Sequence, residues 1–215
     1  MKKPTKKKSK PSTPVLGPPI KPVLVSPGVT LKLDLAAGQS PREGFEGVDI
    51  WEGAKHQVNL LRFPWPFATG SVDELHCSHF IEHIPMEFVD AVGNYVPCGT
   101  PGAKDLFFRF FEECQRILKP DGWMTVITPC ARNNRAFQDP THRRFFVAES
   151  FFYLNKQWRE VQKLDHYNTD VNFLGDINPS VMAEMNARAP EVQAQKFNEC
   201  WNTIIDWHVK LRVVK

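Results

Sequence analysis

The chain has 215 residues, enough to bury one ordinary core and short for two. Hydrophobic residues at 42% and charged residues at 24% match a folded globular body and exclude wholesale disorder. The net charge of +3 is a property of one end: seven of the 27 basic residues lie in the first 30 positions, which hold no acid, and the remaining 20 face 24 acids.

Those seven are Lys2, Lys3, Lys6, Lys7, Lys8, Lys10 and Lys21, interleaved with Pro4, Pro11, Pro14, Pro18, Pro19, Pro22 and Pro27. Such composition favours extended, solvated chain over packing, so residues 1–28 are expected to be a disordered basic tail and 29–215 one domain. A lysine tail is either a solubilising extension or an arm that attracts the phosphates of nucleic acid. No run approaches the roughly 18 apolar residues of a membrane span, and no apolar segment follows the lysines as in a secretory signal; a cytoplasmic location with no membrane partner is expected. The five cysteines are scattered without a C-x-x-C pair, against a disulfide framework or a zinc ribbon.

From residue 30 short apolar runs alternate with turns. Leu31 to Leu35 reads as a buried strand ending at Gly38, Gly47 to Ile50 as a second, His56 to Leu60 as a weak third and Val72 to Ser78 as a fourth, with helical segments after it. Asp105 is placed to cap a helix on which Leu106, Phe107, Phe110, Phe111, Cys114, Ile117 and Leu118 recur at helical spacing, until Lys119-Pro120-Asp121-Gly122 stops it. Trp123 to Thr128 reads as the fifth strand. After residue 163 the strand candidates are Leu164 to Phe173 and Thr203 to Val214, the last expected to pair antiparallel at the sheet edge.

Strands alternating with helices predict an α/β fold: a doubly wound, mainly parallel, Rossmann-like sheet with an antiparallel edge strand. Its ligands sit at the carboxyl ends of the strands, so function is expected near Gly38, Asp49, Ser78 and Thr128. Gly38 stands where a chain leaving a strand must turn sharply and let a ligand approach its backbone. Asp49, eleven residues on, ends the second strand, where a carboxylate can accept both hydroxyl hydrogens of a ribose.

Asp34-x-x-x-Gly38-x-x-Pro41 followed by Gly47-Val48-Asp49 resembles the first two motifs of class I S-adenosylmethionine-dependent methyltransferases of compact type. Pro66 to Leu75 is similar to the family's approach to its fourth strand, Ser78 to His83 to its strand end and following Glu-His, and Arg116 to Trp123 to its turn before the fifth strand. The resemblance covers residues 31–130 in order. It implies S-adenosylmethionine as cofactor, with Asp34 and the backbone around Ala36 and Gly38 on its methionine part. Asp49 would meet the ribose, Asn59 and Leu60 the adenine, and Ser78 and His79 the sulfonium end, with Ile50 a further cofactor contact. The chain departs from the family where a glycine often stands at Ala36 and an acid at Asn59, and where Gln39 to Glu46, with Pro41 and Gly44, is very short for a crossover helix.

A dinucleotide fingerprint G-x-G-x-x-G and a phosphate-binding G-x-x-x-x-G-K-[ST] are both absent. His76, Cys77, His79 and His83 are four potential ligands within eight residues, but adjacent strand residues point to opposite faces, so no metal site is expected from them. The run Phe137 to Phe146 follows the fifth strand on the edge where an acceptor would meet the donor methyl. There His142, with His79 second, is placed to take a proton, and Thr141, Arg143 and Arg144 to hold an acceptor's phosphate or carboxylate; a surface helix-start loop is the plain alternative. Most aromatics fall on core spacing, and Trp65, between two prolines, is the one read as a possible stacking surface.

Methyl transfer to a small-molecule or nucleotide-like acceptor is the function expected. A nucleic-acid methyltransferase or nucleic-acid-binding protein using the lysine arm, and a non-catalytic S-adenosylmethionine-binding module, are the alternatives. No Asn-Pro-Pro-Tyr or Asp-Pro-Pro-Tyr follows the fourth strand, and Cys98 and Cys114 lack the setting of a nucleophile.

Overall fold

The computed structural model describes residues 30–90 and 93–214, so the basic tail read at 1–28 lies outside the described residues. Among the described residues ten strands are formed: β1 (Lys32–Leu35), β2 (Glu46–Asp49), β3 (His56–Gln57), β4 (Val72–Ser78), β5 (Phe88–Val89), β6 (Tyr95–Val96), β7 (Lys104–Asp105), β8 (Leu118–Pro129), β9 (Phe173–Val181) and β10 (Ile204–Val213). The helices are α1 (Leu106–Ile117), α2 (Arg135–Gln138), α3 (Lys156–Val161), α4 (Ala183–Asn186) and α5 (Pro190–Glu199).

Seven strands make the main sheet, in the order β3-β2-β1-β4-β8-β10-β9. Every pair from β3 to β8 is parallel, and β10 runs antiparallel to both β8 and β9. This is the α/β, mainly parallel arrangement expected. Chain order reverses at β1, where β2 lies on one side and β4 on the other, so the switch point at which open sheets hold ligands is at the carboxyl ends of β1 and β4.

Burial follows the pairing. In β1 Leu33 and Leu35 are fully buried, as are Val72, Leu75 and Cys77 in β4, because parallel strands are covered on both faces. β10 alternates instead: Trp207, Val209, Leu211 and Val213 are buried while His208, Lys210 and Arg212 face out, the mark of a sheet with one wet face. That alternation was read correctly as a strand, but its place was not. β10 is internal, and the edge is β9, which starts at Phe173 where the expected strand ended. Residues 164–172 have no two-residue alternation and carry Asn168 at φ 48°, so they turn rather than extend.

α1 forms where its cap and stripe predict. The Asp105 carboxylate accepts from the Phe107 N–H at 2.8 Å, satisfying an orphan donor of the first turn at a gain of about 1 kcal/mol. Phe110, Phe111, Cys114 and Ile117 are fully buried against the sheet, at roughly 1.5–3 kcal/mol for each large side chain. The other helices expected after β4 shrink to a 3-10 turn, Ile81–His83, and β5 to β7 form a small antiparallel sheet. The link from β1 to β2 has no helix, consistent with the short Gln39 to Glu46 segment.

Trp65 is not a stacking surface. It is 2% exposed, stacks on Phe63 at 6.2 Å and meets Phe110 edge-on at 5.5 Å, and its backbone N–H donates to Glu113 of α1.

Candidate active site

The strand ends bring five of the expected cofactor residues together. Ala36, Asp49, Ile50, Asn59 and Leu60 line one cavity of about 260 Å³ beyond β1 and β2, completed by Val58, Leu61 and Phe80. Three backbone bonds shape it. Ala36 N–H donates to Val48 O at 2.8 Å, Val58 N–H to Asp49 O at 2.8 Å, and Gly38 N–H to Asp49 Oδ2 at 2.8 Å. Asp49 Oδ1 accepts from Trp51 N–H at 3.0 Å, so each carboxylate oxygen is held by one amide and retains capacity for another donor. Ala36 sits at φ 58°, a left-handed conformation that suits the glycine many class I methyltransferases carry there. Ala36→Gly is therefore expected to raise stability by up to about 1 kcal/mol, the left-handed strain of roughly 1–2 kcal/mol less the entropy of a freer unfolded chain. A lower melting temperature for the variant would contradict this.

Asp34, expected at the methionine part, is turned inward. It is buried, with Oδ1 on His76 Nδ1 at 2.8 Å and Oδ2 accepting from Arg42 N–H at 2.8 Å. Its carboxylate ties β1 to β4 and to the loop before β2.

A second group of predicted residues gathers at the ends of β4 and β8. His79 leaves β4 at φ 52°, with its Nδ1 3.3 Å from Oε1 of Glu82, a side chain only 1% exposed. That carboxylate raises the His79 imidazole above its ordinary pKa, against the opposing effect of burial. Glu82 Oε2 accepts from Thr128 Oγ1 at 3.0 Å, joining the two strand ends. The Glu82 carbonyl accepts from Arg143 N–H at 2.7 Å and Arg144 N–H at 3.0 Å, which pins the 139–145 loop over the strand ends. Glu82 was visible in the sequence as half of a Glu-His pair, but nothing in the spacing revealed a buried carboxylate at the junction. Asp206 on β10 was missed altogether; it is buried, pairs with Arg135 at 3.3 Å and also favours protonated His79.

The loop residues divide. His142 donates from Nδ1 to Ala136 O at 2.8 Å, and its ring meets His83 edge-on at 4.7 Å. Thr141 Oγ1 contacts both Asp139 Oδ1 at 2.7 Å and His83 Nδ1 at 2.9 Å. Arg143 is exposed, with Nη1 on the carbonyls of Pro140 and His142. Arg144 corrects an expectation: its guanidinium does not await an acceptor but donates to Ile84 O at 3.0 Å, Pro85 O at 2.8 Å and Asp105 Oδ1 at 2.8 Å, over the Phe107 ring. Arg144→Ala is expected to cost about 2–3 kcal/mol of stability, from a charge-assisted bond and two carbonyls left unmet, read by urea unfolding.

His76 and Cys77 do not join His79 and His83. His76 is engaged by Asp34, and burial pushes the Cys77 thiol well above its ordinary pKa, as it does Cys114. A larger cavity of about 440 Å³, walled by Cys130, Phe197 and Trp207, contains none of the predicted residues.

No family model matches the chain, and no curated protein matches it. Solved structures do. An S-adenosylmethionine-dependent methyltransferase from Archaeoglobus fulgidus superposes with a TM-score of 0.51 at 16% identity, over 86% of this chain and 87% of that one. Methyltransferases of the same description from Mesorhizobium loti (TM-score 0.46, 11% identity, 85% of this chain and 90% of that one) and Methanosarcina mazei (0.44, 13%, 86% and 92%) are similar over comparable spans. The chain has the Rossmann-like fold of class I methyltransferases. Among the described residues, no helix is long and apolar enough to cross a membrane.

Proposed function

We propose that the protein is an S-adenosylmethionine-dependent methyltransferase acting on a small-molecule or nucleotide-like acceptor. The observation that carries this is the cavity beyond β1 and β2, in which a strand-end carboxylate faces an apolar slot.

The cavity's chemistry fits an adenosine. Asp49 retains acceptor capacity for the ribose hydroxyls, while Ile50, Val58, Leu60 and Phe80 offer apolar cover to the base and Asn59 a polar edge. At about 260 Å³ it falls just below the usual range of roughly 300–1,000 Å³, so it takes the adenosine end and leaves the methionine part to the open strand ends near Gly38 and Ser78. Bound there, S-adenosylmethionine supplies a methyl group on a sulfonium that already carries its leaving group. What the chain must add is alignment of the acceptor, worth effective molarities of up to about 10⁵ M or more, and removal of a proton where the acceptor bears one.

His79 is the residue best placed for that proton. Its side chain is 38% exposed at the end of β4, and Glu82 stands beside Nδ1 to stabilise the imidazolium formed when Nε2 takes the proton. Thr141 and Arg143 border the acceptor's path on the exposed loop. Incubating the full chain with S-adenosylmethionine labelled on its methyl group and a size-fractionated cell extract tests the reading: label in the small-molecule fraction is expected. Label confined to nucleic acid would instead favour the lysine-arm alternative, whose binding would fall steeply between two salt concentrations and weaken on removal of residues 1–28. A protein that binds the donor but labels nothing would be a binding module.

A further inference from the structure

Beside the methyl-transfer site, Glu82, His83 and His142 each offer a ligand atom, all within 4.8 Å of one another. Their surroundings fix what those atoms are. Thr141 Oγ1 donates to Asp139 Oδ1, so toward His83 it accepts, and His83 Nδ1 carries the proton. Ala136 O can only accept, so His142 Nδ1 is protonated too. Each ring is thereby engaged through Nδ1 and keeps Nε2 as its other nitrogen. Glu82 Oε1 is buried without a hydrogen bond, with His79 Nδ1 3.3 Å away as its ion-pair neighbour. Two imidazoles and a carboxylate lie together, and each imidazole is oriented through Nδ1 by an oxygen, as metal-ligating histidines almost always are oriented through one ring nitrogen. His83 and His142 are partly exposed, which leaves a way in from solvent.

We propose that Glu82, His83 and His142 bind a divalent transition-metal ion of the zinc class, with coordination positions left open on the side where an acceptor would approach. Two nitrogens and one oxygen form a three-ligand set of the kind that holds Zn²⁺ and keeps a site for water or substrate. The two halves of the site come from the turn after β4 and from the 139–145 loop, and the bonds from Arg143 and Arg144 N–H to Glu82 O lock them together. With the ion in place His142 is a ligand, and Glu82 is shared between the ion and His79.

The test uses the full chain freed of metal by a chelator and dialysis, titrated with Zn²⁺ against a chromogenic chelator and, separately, with Co²⁺ followed by visible absorption. One Zn²⁺ per chain is expected. His83→Gln and His142→Gln should each weaken it at least about tenfold, and Thr141→Ala, which removes only the group orienting His83, by about tenfold as well. Co²⁺ should give ligand-field bands without thiolate charge transfer. Far-UV circular dichroism of each variant reports that the fold is retained. Failure of the wild type to bind Zn²⁺, undiminished binding by both histidine variants, or a thiolate band would overturn the proposal. None of these results depends on methyl transfer, so the proposal can fail while that reading stands.

Discussion

Asp49→Ala is expected to weaken S-adenosylmethionine binding by about 10- to 100-fold, the 1.5–3 kcal/mol of hydrogen bonds to a charged acceptor. The carboxylate does two things at once. It holds the Gly38 and Trp51 amides, which shape the cavity, and under the proposed function its remaining lone pairs would accept from the ligand. Asp49→Asn separates these roles, since its single carbonyl oxygen keeps one amide but loses the charge and half the acceptors; its affinity should fall between wild type and Asp49→Ala. Calorimetry on both variants checks this, and equal affinity of wild type and Asp49→Ala would remove Asp49 from the ribose.

The largest expected effect on stability is at Glu113, inside α1. Its side chain is fully buried; Oε1 accepts from Trp65 N–H and from Arg116 Nη2, each at 2.6 Å, and Oε2 from Arg116 Nε at 3.0 Å. Arg116 in turn reaches Phe67 O at 2.8 Å and Trp65 O at 3.2 Å, so one ion pair fastens the 64–69 loop to the helix. Glu113→Ala leaves the Trp65 amide buried without a partner and the guanidinium without its counter-charge. The expected cost is about 3 kcal/mol, the low end for a broken buried pair because Arg116 is 28% exposed. Urea unfolding should show a lower midpoint at unchanged slope, with Glu113→Gln losing less. A loss below about 1 kcal/mol would contradict it.

The parts of this molecule that are legible in its sequence are those written in local periodicity or a local cap. The stripe of α1, the Asp105 cap, the alternation of β10 and the buried run of β4 each follow from side chains a few residues apart. The strand end at Asp49 was legible for the same reason, as the close of the short run Gly47 to Ile50. What was not legible depends on partners distant in the chain. Arg144 looks like a free surface arginine until Ile84, Pro85 and Asp105 are folded against it, and Trp65 looks exposed until Glu113 and Phe110 close over it. The position of β10 inside the sheet was hidden because the order of antiparallel strands is set by which neighbours cover them, not by their own pattern. Glu82 shows both sides: its place beside His83 was readable, its burial between His79 and Thr128 was not.

Calorimetric titration of S-adenosylmethionine into the full wild-type chain tests most directly whether the cavity beyond β1 and β2 holds it. Saturable binding at one site per chain, competed by S-adenosylhomocysteine, is the predicted result. The absence of binding by a chain that circular dichroism shows to be folded would contradict it.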